Sequence, residues 1–394
     1  MPWRHLFSIL LKEGFVLLLR LAVAQMLFTA IYQFSTLFIN TYLFKQNQDI
    51  RMVAEYNFYL FFFWGLCFYL GFKCCEKNAR FSMVIAGVSS LMAMGLLIAE
   101  VSYPLVLGLL MGATGGFFWP PYLSIYRTLG KSSEGSGTFA KASVLASVIP
   151  VLIPIFFGHV VEGTGYLVGF AIIALVSAGI IGISLFMPKH HTQKIQLRPS
   201  SFRHPSFFLS NVLQGFYFSF IGVAAGLLVY ISGEGEANVG TFATFYGLVT
   251  LGVNLIMGFL LSQRNNAMGL VLAVMVYPLA STLFLSEWDM RLIVFNFLVA
   301  AAGPLFLNPV VGLNFTYINQ AFPNGDEGIF IRECGLTVGR LLFFICLALV
   351  GFSAEDLAFY AFCLAASFLP LSVYMIIRKW ERPSEVAGKK EESA

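Results

Sequence analysis

From Tyr103 to Tyr126 the chain runs without one charged side chain, and it does so again from Tyr166 to Met187. Apolar stretches near twenty residues, without period-two alternation, read as helices long enough to cross a bilayer core. In hydrocarbon each backbone polar group must find its partner inside the chain, which leaves helices or a closed barrel. The missing alternation excludes the barrel. Charged residues are 11% of the chain and apolar ones 58%, with a mean hydropathy of +0.80. Soluble domains run near about 25% charged, so lipid is the expected solvent.

About twelve such stretches follow one another. They are 18–44, 53–72, 81–99, 103–127, 139–161 and 166–187, then 207–231, 239–261, 267–286, 291–318, 331–352 and 356–378. The expected architecture is an all-α integral membrane protein of two six-helix, pseudo-symmetric halves. Residues 1–187 form the first bundle, 188–206 a cytoplasmic linker, 207–378 the second bundle and 379–394 a cytoplasmic tail. The start, "MPWRHLFSILLKEGF", reads as a short interfacial helix leading into the first span. No cleavable signal peptide is evident.

With both termini inside, cytoplasmic segments hold 19 of the 24 lysines and arginines, and the outer loops hold Lys45, Arg51 and Arg291. That asymmetry is the positive-inside pattern, so both termini are expected in the cytoplasm and the chain in the plasma (inner) membrane. The net charge of +4 then reports topology and gives no reason to expect a nucleic-acid partner. The six cysteines show no zinc spacing, and His190-His191 is too little for a metal site, so neither metal nor cofactor is expected.

The halves repeat one another. "VAQ" ending at Gln25 matches "VLQ" ending at Gln214, and "FFWP" ending at Pro120 matches "FLNP" ending at Pro309, both at an offset of 189. Phe58-Tyr59, Gly65, Gly71-Phe72 and Asn78 match Phe245-Tyr246, Gly252, Gly258-Phe259 and Asn265 at 187. Gly137-x-Phe139-x-Lys141 matches Gly328-x-Phe330-x-Arg332 at 191. Each half has an even number of spans, so the repeat is parallel, about an axis along the membrane normal.

A parallel 6+6 repeat, a basic central loop and cytoplasmic termini resemble the major facilitator superfamily of secondary transporters, over essentially the whole chain. The family's motif after span 2 is met by "GFKCCEKNAR", in which Gly71 and Arg80 fit, while Cys75 replaces the family's aspartate and Asn78 its second glycine. The resemblance implies that spans 1, 4, 7 and 10 line a central cavity. It also implies a small-molecule substrate, contact with membrane lipid, a coupling proton or ion, and a chain that acts as a monomer.

Within that frame the polar residues of the spans become candidates. Gln25, Thr29, Tyr32, Gln33, Thr36 and Asn40 form one stripe about 100° wide on span 1. Asn211, Gln214 and Tyr217 repeat part of it on span 7. Pro120-Pro121 should kink or end span 4, beside Trp119 and Tyr122, with Asn308 the symmetry mate of Trp119. The expected substrate-binding set is Gln25, Thr29, Gln33, Trp119, Tyr122, Gln214, Tyr217, Asn308 and Arg340. Interhelical hydrogen bonding is the alternative for both stripes, and cavity lining is the expectation, because the resemblance puts both stripes on cavity helices.

Arg340 lies about 14 Å along its helix from Ile331, near the bilayer middle, at 1.5 Å per residue. Such a charge needs a partner, water or an anionic substrate. Glu333, seven residues earlier, lies two turns away on the same face, with Thr337 between. Either this is a structural ion pair, or Arg340 attracts an anion and Glu333 gates or carries a proton. Glu55 is a second coupling candidate. Arg20, near the cytoplasmic start of span 1, is expected to snorkel.

HExxH, GxSxG and aspartate-rich diphosphate motifs are absent, and "GKSS" at Gly130–Ser133 lacks the glycine a phosphate loop requires five residues earlier. An enzyme is therefore not expected. The expectation is a secondary active transporter of a small organic solute working by alternating access, with an anionic group on that solute if Arg340 faces the cavity. The alternatives are a lipid or amphiphile flippase on the same fold and a non-transporting membrane sensor.

Overall fold

The computed structural model describes residues 2–130, 151–187, 189, 204–224, 235–260, 266–285, 290–322, 324–350 and 357–378. The tail 379–394, nearly all of the linker 188–206, the start of span 5 and the Gly137-x-Phe139-x-Lys141 segment lie outside them. Nearly all of the described residues are helical, with no strand among them.

The helices are α1 (Pro2–Phe34), α2 (Asn40–Asn47), α3 (Ile50–Cys75), α4 (Ala79–Ile98), α5 (Pro104–Gly130), α6 (Val151–Thr164) and α7 (Tyr166–Leu185). They continue as α8 (Pro205–Ser219), α9 (Gly235–Leu260), α10 (Asn266–Ser281), α11 (Arg291–Ala321), α12 (Gly325–Val350) and α13 (Leu357–Ser367), followed by helix to Arg378. The chain forms two compact units. The first is 1–195 with 234–244, and the second is 196–233 with 245–394, so the opening turns of α9 belong to the first unit. Seven of these helices are long and apolar enough to cross a membrane.

The polarity of the packing is inverted relative to a protein in water. In α7, Leu175 is 74% exposed while Ser177 is fully buried, its hydroxyl 2.7 Å from that of Ser90 on α4. On α3, Phe62, Leu66 and Leu70 stand exposed at four-residue spacing, and Asn57, Leu60, Trp64 and Phe68 face inward. Apolar surface on this scale is stable against lipid tails and would aggregate in water.

Helix starts follow local chemistry. Asp49 caps α3 by accepting from Arg51 N–H at 2.8 Å, and Asn78 caps α4 by accepting from Arg80 N–H at 3.1 Å. The segment expected to lead into span 1 does so without interruption, since α1 is continuous from Pro2. The only helix breaker after Pro2 in that stretch is Gly14, and one glycine is tolerated inside a helix. A π-helical turn, Ser35–Ile39, then joins α1 to α2, and Phe220–Ala224 forms a second π-helical turn after α8.

The Pro120-Pro121 pair does not end its helix, because α5 runs through both. Pro121 has no N–H for the carbonyl of Phe117, and the hydroxyl of Ser82, buried on α4, donates to that carbonyl at 2.6 Å. A neighbouring helix thus satisfies the group the proline frees. Ser82→Ala leaves it unpaired in a dry interior and is expected to cost about 1–3 kcal/mol. A lowered melting temperature of the purified protein in detergent checks this.

The Gly71–Arg80 loop also acquires physical roles. A Cβ on Gly71 would lie 2.7 Å from Gly116 O and 2.9 Å from Pro120 Cγ, so only glycine lets α3 approach α5 there. Cys75 is buried where the family carries an aspartate, and Lys73 pairs with Glu76 at 2.7 Å. Arg80 donates through Nε and Nη2 to Met187 O, at 2.9 and 2.5 Å, just past the end of α7. Arg20 donates to Phe186 O at 2.6 Å, so it holds the same helix end. Cations suit helix C-termini, whose last carbonyls lack intrahelical partners.

Candidate functional site

In the first unit, the stripe on α1 separates into two kinds of residue. Thr29 donates to Gln25 O at 2.8 Å, Thr36 to Tyr32 O at 3.0 Å, and Asn40 to Thr36 O at 2.7 Å. These groups are taken up by their own helix. Asn40 Oδ1 also receives Nδ2 of buried Asn57, and Ser35 shares a 2.5 Å hydrogen bond with Tyr56, which fixes the π-helical turn against α3. Gln25 and Gln33 differ. Gln25 Oε1 accepts from the hydroxyl of Tyr122 on α5 at 2.6 Å, and Gln33 Oε1 is a buried acceptor with no hydrogen-bond partner among the described residues.

Around that hydrogen bond lies an aromatic corner. Phe28 stacks on Phe118 at 4.1 Å, and Phe118 on Tyr122 at 5.7 Å. The half-exposed indole of Trp119 stands edge-on to all three, at 5.5 Å from Phe28, 5.8 Å from Phe118 and 5.3 Å from Tyr122. α1 and α5 therefore bring together Gln25, Trp119 and Tyr122. Glu55 stands apart from them, exposed in the second turn of α3.

The opening turns of α9 are held in this unit by polar contacts. Lys45 pairs with Glu236 at 2.8 Å, and Tyr166 donates to the same carboxylate oxygen at 3.1 Å. Glu162 accepts from Ala237 N–H at 2.7 Å, and Thr244 Oγ1 accepts from Ile155 N–H at 3.0 Å. Sequence reasoning misses this cluster, since Glu162 and its partner Ala237 lie 75 residues apart.

In the second unit the equivalent glutamine is enclosed. Gln214 on α8 is fully buried, and its Nε2 donates to Ser210 O and Oγ at 3.2 and 3.1 Å. Asn314 on α11 donates to Gln214 Oε1 at 3.3 Å and to Asn211 Oδ1 at 3.4 Å. α5 thus donates to the glutamine on α1, and α11 to the glutamine on α8. Tyr217 is buried among Tyr277 and Phe306. Asn308 is exposed and donates to Asn254 Oδ1 at 2.8 Å.

On α12, Arg340 Nη1 meets Glu333 Oε1 at 2.7 Å, their side chains 15% and 10% exposed. The guanidinium of Arg332 lies over Phe315 at 6.0 Å, and buried Thr337 lies between the paired charges in sequence. The two-turn spacing thus produces a real ion pair. Among the described residues no group of three or more His, Cys, Asp or Glu could hold a metal ion.

No family model matches the chain. It is 24% identical over 340 residues to "Uncharacterized protein YqgE" of Bacillus subtilis (strain 168), covering 80% of this chain and 78% of that one. A shorter match, 26% identical over 152 residues, is "Uncharacterized protein in sodM 3'region" of Geobacillus stearothermophilus, covering 37% and 71%. Among solved structures the chain is similar to the nucleoside transporter NupG, with a TM-score of 0.64 at 12% identity over 92% of this chain and 98% of that one. It is also similar to a bacterial homologue of the human drug peptide transporters PepT1 and PepT2, with a TM-score of 0.67 at 9% identity over 96% and 99%. Agreement of this kind over nearly whole chains fixes the fold: the chain has that of the major facilitator superfamily transporters.

Proposed function

We propose that the chain is a secondary active transporter of a small organic solute, working as a monomer by alternating access of two six-span halves with both termini in the cytoplasm. It has the fold of nucleoside and peptide transporters, and no enzymatic step belongs to this reading. One observation carries it beyond the fold. Gln25, on the first span, is half-exposed, its amide oriented by Tyr122 from the fourth span, while its counterpart Gln214 is sealed in the second unit. A polar side chain held in place but left accessible inside an apolar bundle is built to meet a solute.

Glu333 and Arg340 are assigned the coupling role in this proposal. Already balanced by Glu333 at 2.7 Å, Arg340 supports coupling to a proton or ion better than it supports a permanently anionic substrate.

The test is counterflow in liposomes holding the purified chain, with labelled nucleosides, dipeptides and organic acids. Gln25→Leu is expected to slow exchange of the accepted solute about tenfold, the effect of losing roughly one hydrogen bond to it. Glu333→Gln should keep exchange but lose gradient-driven accumulation. Binding without exchange would identify a sensor, and movement of labelled lipid alone would identify a flippase.

A further inference from the structure

The aromatic corner of the first unit has a property that its neighbours lack. Phe28, Phe118 and Tyr122 lie on one another face to face, whereas Trp119 meets each of them edge-on, with interplanar angles of 78°, 83° and 87°. No ring among the described residues stacks on the half-exposed Trp119 indole. Beside it, Gln25 gives its oxygen to Tyr122, and its Nε2 donates to nothing among the described residues. A rigid aromatic face thus stands next to an oriented, unused amide donor.

The second unit serves as an internal control. At the offset of 189, Gln25 corresponds to Gln214, whose donor is taken up by Ser210 in a fully buried site. Trp119 corresponds to Asn308 and Tyr122 to Val311, so the repeat carries no ring at either place. The corner is built in one half only.

From this geometry we propose that Trp119, Tyr122 and Gln25 form a ring subsite for a planar conjugated heterocycle bearing carbonyl or ring-nitrogen acceptors, of which a nucleobase is one example. The ring lies on the Trp119 indole, and an acceptor on its edge takes the hydrogen bond from Gln25 Nε2. Tyr122 is a positioning residue, since its hydroxyl holds the Gln25 amide oxygen at 2.6 Å and leaves the NH₂ group to donate elsewhere. Stacking on an aromatic side chain tolerates different rings, and the hydrogen bond then selects among them. The subsite deepens the transporter reading and names the substrate class of that same site.

Calorimetric titration of the full-length chain in detergent tests it, with uridine, adenosine and nicotinamide as ring probes and ribose and dialanine as non-planar controls. The ring probes are expected to bind and the controls not. Trp119→Leu should weaken ring binding about tenfold or more, by loss of stacking. Trp119→Phe, which keeps a stacking face, should retain most of it, and Gln25→Leu should weaken uridine and nicotinamide several-fold, with a lower melting temperature from the lost Tyr122 hydrogen bond. Counterflow on the same preparations separates this proposal from the one beneath it. Ring binding that depends on Trp119 without exchange upholds the subsite and removes the transporter reading. Exchange of dialanine that ignores Trp119 upholds transport and overturns the subsite. Failure of all three ring probes to bind overturns the subsite whatever else is exchanged.

Discussion

Arg340→Met lowers the stability of the protein by about 3 kcal/mol, at the low end of the range for removing one partner of a buried ion pair. The magnitude follows from what remains. Glu333, its side chain 10% exposed, loses the guanidinium 2.7 Å away. A carboxylate left in that position cannot recover its solvation without opening α12. Deleting both charges is a different experiment. A Glu333→Leu, Arg340→Met double variant removes two desolvation penalties along with one attraction and should recover most of the lost stability. Melting temperatures of the wild-type, single and double variants in one detergent read this out. If Arg340→Met alone melts with the wild type, the pair does not hold the fold, and the coupling role is left as the reason for two charges inside α12.

The pair was legible before any coordinate, because seven residues is two helical turns and charge in a span demands a partner. The repeat was legible for the same kind of reason. An offset of 189 aligns Gln25 with Gln214, and each accepts a hydrogen bond at Oε1, from Tyr122 on α5 and from Asn314 on α11, though these donors do not correspond under that offset. What sequence left open was exposure. Gln25 and Gln214 are one residue type at corresponding positions, yet one is half-buried and the other sealed, because burial is set by neighbours distant in the chain, such as Tyr122 for Gln25 and Asn314 for Gln214. The threonines of the stripe misled for a local reason, since a hydroxyl on a helix can bond its own carbonyl four residues back. Pro120-Pro121 left one point open for a tertiary reason, whether the helix ends or continues, and it continues. A proline pair predicts lost hydrogen bonds, but it does not show that Ser82 waits on the next helix to replace one of them.

Gly116→Val is expected to cost about 3 kcal/mol or more, the upper range for forcing volume into a packed interior, and it tests how the fold supports the aromatic corner. A Cβ at Gly116 would lie 2.6 Å from Cys67 Cβ, 2.7 Å from Trp64 O and 2.8 Å from the Cys67 carbonyl carbon. Two of these neighbours are backbone, so no side-chain rotation relieves the clash, and α5 must move away from α3. Gly95→Ala on α4 is the control, since nothing lies within 4 Å of its added Cβ, and its melting temperature should match the wild type. Trp119 is one helical turn beyond Gly116, and Trp64 on α3 packs edge-on against Phe28 at 6.2 Å. Parting the two helices therefore displaces the ring platform as well as the core. Gly116→Val should lose stability and ring binding together, whereas Trp119→Leu loses ring binding with a far smaller change in melting temperature. A Gly116→Val variant that melts early yet binds the ring probes at wild-type affinity would show that the corner is positioned by α1 and not by the α3–α5 crossing.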